Sequence, residues 1–113
     1  MNCPRCGLNV DEHPANRCMD VWVAEAVMGL APPSRGYPGR NYSTQIADAW
    51  MAMDVLRSRD ICVQLHYWNR EEPRAQVYFL DDLGRATLVG HAVGMPLAIC
   101  RAALKAVSDG QTD

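Results

Sequence analysis

The sequence predicts an α+β fold: three helices packed on a three-stranded antiparallel sheet, in the order α-α-β-β-β-α, layered as an α/β/α sandwich. Three observations carry this reading. Two early stretches repeat apolar residues at helical spacing, residues 61–89 alternate with period two between turns, and residues 96–108 return to helical spacing. With 113 residues, 49% hydrophobic and 21% charged, the chain has the size and composition of one domain with its own core.

The first helix follows Pro14, a residue suited to the opening position of a helix, and repeats Met19, Trp22, Val23, Ala26 and Val27 on one face. Gly29 supplies a stop, and Pro32 and Pro33 forbid continuation. The second helix is expected from Thr44 to Arg57, with Ser43 as its N-cap and Ile46, Ala49, Trp50, Met53 and Leu56 as its buried face. Ile61, Val63, Leu65 and Tyr67 then alternate with Cys62, Gln64, His66 and Trp68. A five-residue turn, Asn69 to Pro73, leads to a return strand from Arg74 to Leu80. A symmetric hairpin sets Leu65 opposite Val77 and Val63 opposite Phe79 on the core face, with His66 opposite Gln76 and Gln64 opposite Tyr78 on the other. Asp81-Asp82-Leu83-Gly84 is a turn into a short third strand from Arg85 to Val89. The last helix opens at Pro96, buries Ile99, Ala102, Ala103, Ala106 and Val107, and ends near Ser108, before Asp109-Gly110.

Two irregular stretches interrupt this pattern, and both are rich in chemistry. The first forms a cysteine-rich segment over residues 1–18, ahead of a domain over 14–113. Five cysteines cannot all pair within one chain, and nothing after Met1 resembles a secretory leader, so reduced thiols and a cytoplasmic setting are expected. Cys3-Pro-Arg-Cys6-Gly7 is a knuckle that aims two thiolates at one ion, and His13 and Cys18 are the nearest residues able to complete a tetrahedral set. A structural Zn2+ held by Cys3, Cys6, His13 and Cys18 is the reading; a tail of reduced cysteines is its competitor.

The second stretch, Ala31 to Tyr42, contains three Pro and two Gly and feeds the second helix. Arg35, Tyr37, Arg40 and Tyr42 precede Ser43 and Thr44 at the helix start. Guanidiniums suit bidentate phosphate contacts, aromatic rings suit a base, and a helix N-terminus offers unpaired N–H groups. These six residues are the expected ligand site, for a small phosphorylated, nucleotide-like molecule. A plain connection with solvated arginines is the alternative. A third group, Cys62, Gln64, His66, Trp68, Gln76, Tyr78 and Leu80, shares the non-core sheet face, which a helix, a second subunit or a ligand could cover.

Three segments resemble small phage proteins of the phage ABA-sandwich domain family: Asp20-Val-Trp-Val-Ala-Glu-Ala-Val-Met28, Tyr42-Ser-Thr-Gln-Ile-Ala-Asp-Ala-Trp50 and Pro96-Leu-Ala-Ile-Cys-Arg-Ala-Ala-Leu104. With the hairpin between them they span about Ala15 to Val107. The resemblance implies an α/β/α layered module of phage origin in an infected bacterium, with no general catalytic role, and carries nothing over to the cysteine segment.

Several function classes are disfavoured. A net charge of −2 does not suit a general nucleic-acid coat. No apolar run reaches the ~20 residues of a membrane span. No phosphate loop, dinucleotide fingerprint, HExxH or GxSxG motif occurs. No catalytic residues are assigned, since His66 and His91 have no carboxylate or nucleophile beside them in sequence. The leading expectation is a phage-type, homo-oligomeric binding protein, not an enzyme, that sequesters a phosphorylated nucleotide signal of host defence. The alternative is a zinc-stapled adaptor that binds a host or phage protein through the mixed sheet face.

Overall fold

The computed structural model describes residues 1–30, 39–68 and 74–112. Helix α1 spans Arg17–Ala26, later than Pro14 suggests, because Asn16 is the cap: its side-chain oxygen accepts from the Met19 N–H at 3.0 Å. At the other end Gly29, at φ +71°, turns the chain so that the Leu30 N–H reaches the Ala24 carbonyl at 3.0 Å.

Helix α2 spans Ile46–Ser58. Gln45 rather than Ser43 is its N-cap and makes no side-chain capping bond. Ser43 is held elsewhere, for its N–H and its hydroxyl both donate to Asp20 Oδ1, at 2.8 and 2.7 Å. The buried face is Ala49, Ala52, Met53 and Leu56, while Ile46 and Trp50, expected inside, are 50% and 49% exposed. The reason is the partner. α2 packs chiefly on another helix, α3, and small residues bring two helices close while bulky ones are turned out.

Strands β1 (Cys62–Trp68), β2 (Arg74–Leu80) and β3 (Ala86–Ala92) form an antiparallel sheet in the order β1-β2-β3. The β1–β2 register matches the sequence expectation at all four pairs: Val63 with Phe79, Gln64 with Tyr78, Leu65 with Val77 and His66 with Gln76. The turn Asn69–Pro73 lies outside the described residues. In the next turn Asp81 accepts from the N–H groups of Leu83 and Arg85 at 2.9 and 2.8 Å. β3 continues three residues past Val89, with a shift of register between Val77 and Tyr78.

Helix α3 spans Met95–Thr112, beyond the stop expected at Asp109-Gly110, and buries Ala98, Ile99, Ala102, Ala103, Ala106 and Val107. It lies so close to β3 that a Cβ at Gly90 would collide with the Ala98 carbonyl and stand 3.0 Å from the Ala102 nitrogen. The small-residue face of α3 and the missing side chain at Gly90 together allow this approach.

The result is α+β in the expected order α-α-β-β-β-α. α3 crosses β2 and β3, α2 packs on α3 and reaches β1, and α1 packs on α3. Ala75 and Val77 are fully buried on the core face of the sheet, while Cys62 and Gln64 on its other face are exposed. The N-terminal segment joins the single core, with Cys3 3% and Val10 2% exposed. Among the described residues no helix is long and apolar enough to cross a membrane.

Candidate metal centre

The N-terminal knuckle is built by the backbone. The Cys3 N–H donates to the Leu8 carbonyl and the Gly7 N–H to the Cys3 carbonyl, both at 2.9 Å. Gly7 makes the reversal at φ +79°, and Asn2 and Asn9 pair across it. The His13 N–H then bonds the Asn9 carbonyl at 2.9 Å and brings the imidazole inward. Its ring is fully buried, 5.7 Å from that of Trp22. Nδ1 lies 2.9 Å from the Pro14 carbonyl. A carbonyl can only accept, so Nδ1 carries the proton and Nε2 the lone pair. Nε2 is buried and has no hydrogen-bond partner among the described residues. That is a costly vacancy for a neutral core histidine and the natural state of a metal ligand.

Cys18 enters from the first turn of α1. The ligand atoms of Cys3, Cys6, His13 and Cys18 all lie within 4.8 Å of one another, so these residues stand close enough to hold a metal ion. Cys3 Sγ and Cys18 Sγ are 3.7 Å apart. A disulfide would need ~2.05 Å, whereas the edge of a tetrahedron with ~2.3 Å metal–sulfur bonds is about 3.8 Å. All five cysteines are free.

The sulfurs are electrostatically unequal. Burial pushes the Cys3 thiol up, but hydrogen bonds from the Cys6 and Arg5 backbone N–H groups and from the Cys6 and Cys18 thiols outweigh it and bring Cys3 down to about 7. Cys18 is pushed up to about 12 by burial, by its hydrogen bonds to Cys3 and Cys6, and by their charge. One sulfur gives up its proton readily and its neighbour keeps one, so a cation entering the cluster displaces protons. Three anchors fix the segment to the domain. Arg5 pairs with Glu25 on α1, Lys105 Nζ meets Asp11 Oδ1 at 2.6 Å, and Arg101 Nη2 donates to the His13 carbonyl at 2.8 Å.

The strap before α2 is arranged otherwise. Arg35 and Tyr37 lie outside the described residues. Arg40 is exposed and faces Asp48 Oδ1 at 3.7 Å, and the other Asp48 oxygen accepts from the Asn41 N–H at 2.8 Å. Tyr42 is 1% exposed, its ring a core element rather than a platform for a base. Ser43 is buried on Asp20, and Thr44 is exposed with its N–H on the Asn41 carbonyl at 3.2 Å. The described members of this set do not converge, and an aspartate already stands in the first turn of α2.

The non-core sheet face is organised around Tyr78. Its hydroxyl donates to Gln76 Oε1 at 2.6 Å, and the His66 ring meets it edge-on at 5.3 Å. Cys62 and Gln64 are exposed beside them. One residue escaped the sequence reading altogether. Arg101, 8% exposed, bridges the His13 carbonyl and, through Nη1 at 2.6 Å, that of His91. Its signal was present as a lone guanidinium among the alanines of 98–106. Comparison with known proteins finds no matching family model, no matching curated protein and no matching solved structure, so the likeness to phage ABA-sandwich proteins stands on its three segments alone.

Proposed function

We propose that this chain is a zinc-stapled binding module, not an enzyme, that docks a partner protein on the open face of its sheet. The observation that carries the reading is the donor set of Cys3, Cys6, His13 and Cys18, in which the His13 Nε2 is buried and has no hydrogen-bond partner among the described residues. Three thiolates and one imidazole in tetrahedral reach suit Zn2+ over harder ions. Four protein ligands leave no position for water or substrate, so the role of the ion is structural. It fastens residues 1–18 over the end of α1 and lets a chain of this size keep a whole sheet face free.

That face mixes rings, amides and aliphatic groups, the composition of a moderately polar interface. The phage resemblance supports a setting inside an infected bacterium, where reduced thiols are kept available for metal. Capture of a phosphorylated nucleotide draws less support, because Tyr42 is in the core and Ser43 and Arg40 are engaged by Asp20 and Asp48. The test combines metal analysis of protein purified without added metal with light scattering of the wild type and a Tyr78→Arg variant. One zinc per chain and a monomer in both agree with the proposal. Absence of zinc removes the staple, and a wild-type dimer that Tyr78→Arg dissociates gives the face to a second copy instead.

A further inference from the structure

A cavity of about 840 Å³ opens where β3 ends and α3 begins, and none of the four metal ligands lines it. We propose that it binds a small amphiphile with an anionic head, a carboxylate or a phosphate monoester, on an apolar body. Gln76 and Leu88, the latter opposite Tyr78, belong to the cavity wall, so this proposal rests on the docking face being open and a docked partner would compete with the ligand.

The cationic end is unusual. Arg101 lines the cavity yet is 8% exposed; among the described residues no carboxylate is hydrogen-bonded to it, though the Asp11 charge acts on it, its Nη atoms donate to the carbonyls of His13 and His91, and its Nε has no partner. Neutral carbonyls orient a guanidinium without cancelling its charge, and desolvation lowers its pKa from the ordinary arginine value. A buried cation held this way favours an anion at the cavity wall. Two further features favour the same sign of ligand there. Arg74 also lines the cavity, and so does Gly94, whose carbonyl accepts the Ala98 N–H at 3.2 Å as α3 begins. The cavity thus lies at the N-terminal end of an 18-residue helix, the end that carries positive partial charge.

The rest of the wall is apolar. Leu88, Val93 and Leu97 line it, and Leu88 and Val93 are 44% and 73% exposed, surface that an alkyl or aryl body would cover. The volume falls in the range of small-molecule sites. Charge at one end and apolar wall at the other select an amphiphile over a bare anion or a bare hydrocarbon.

The test is a titration of the full-length, isotope-labelled chain, followed by amide chemical shifts, with octanoate, octyl phosphate, 1-octanol and inorganic phosphate. Octanoate or octyl phosphate should bind saturably and shift the amides of Ala92, Gly94 and Leu97. The tighter of the two identifies the head group. Octanol and inorganic phosphate should bind at least about tenfold more weakly, since each lacks one half of the recognition. Leu88→Glu, a substitution at an exposed position that folding tolerates, should weaken the preferred amphiphile more than about tenfold by charge repulsion. Arg101→Gln should do the same if it folds. Octanol binding as tightly as octanoate, inorganic phosphate matching octyl phosphate, an unaltered affinity in Leu88→Glu, or no saturable shift with either amphiphile would each overturn the proposal.

Discussion

The two irregular stretches of this chain look alike in sequence and behave differently in the fold. Each precedes a helix, and each concentrates residues that can hold a ligand. In residues 1–18 the candidates converge to within 4.8 Å, whereas the described part of the strap before α2 disperses them between core and surface. The difference lies in competing partners. A thiol or an imidazole Nε2 finds few good partners in a protein interior, so a cluster of them is left for a metal. Hydroxyls and guanidiniums are satisfied by any nearby carboxylate, and here Asp20 takes Ser43 and Asp48 takes Arg40.

The contrast can be broken experimentally, and the largest effect belongs to the knuckle. If the proposed zinc is bound, stripping it with a chelator, or replacing His13 by Ala, should cost about 4–6 kcal/mol, or more than about 15 °C in Tm. Calorimetry with and without chelator reads this directly, and equal melting curves would reduce the cluster to unused thiols. Tyr42→Ala should cost about 3–5 kcal/mol, as large aromatic truncations do in a core. Urea unfolding measures it, and an unchanged midpoint would return the ring to the surface.

Asp20→Ala should cost about 2–3 kcal/mol by leaving the Ser43 N–H and hydroxyl without their charged acceptor. Alkaline pH gives a smaller, graded loss. Burial first, and then the Asp20 charge, raise the Cys100 thiol above its ordinary 9.0, and burial raises Tyr42 above 10.0. Both groups favour the folded state while protonated, so their contribution is complete below about pH 9 and disappears as the pH climbs above it. Tm measured from pH 8 to 11 should fall, less steeply in Cys100→Ala; identical slopes would exonerate the thiol. Arg40→Ala should change stability by less than about 0.5 kcal/mol, because the pair with Asp48 is exposed. A larger loss would show that the strap depends on it.

The sequence was most legible where a pattern is local and physically redundant. Alternation over residues 61–80 defined the strands, their register and their core face together, because slipping by one residue would expose Val63, Leu65 and Val77. The CxxC knuckle was legible because its spacing already implies its geometry. Long-range choices were not. Only the close approach of α2 to α3 explains why Trp50 is turned out, and only the 23-residue jump from Asp20 to Ser43 explains the lost cap. Arg101 was invisible for the same reason, since its partners lie 10 and 88 residues away.

Those distant partners have a kinetic consequence. Residues 11 and 13 are gripped by side chains at 105 and 101, so the cysteine segment is fastened by α3. At synthesis rates of about 5–20 residues per second, the knuckle emerges seconds before its anchors exist. A metal ion held by the four residues would gather them early, within residues 1–18, while seating that segment on the domain waits for α3. The metal would then act as a local fold-keeper, preserving a prepared segment until α3 arrives to grip it.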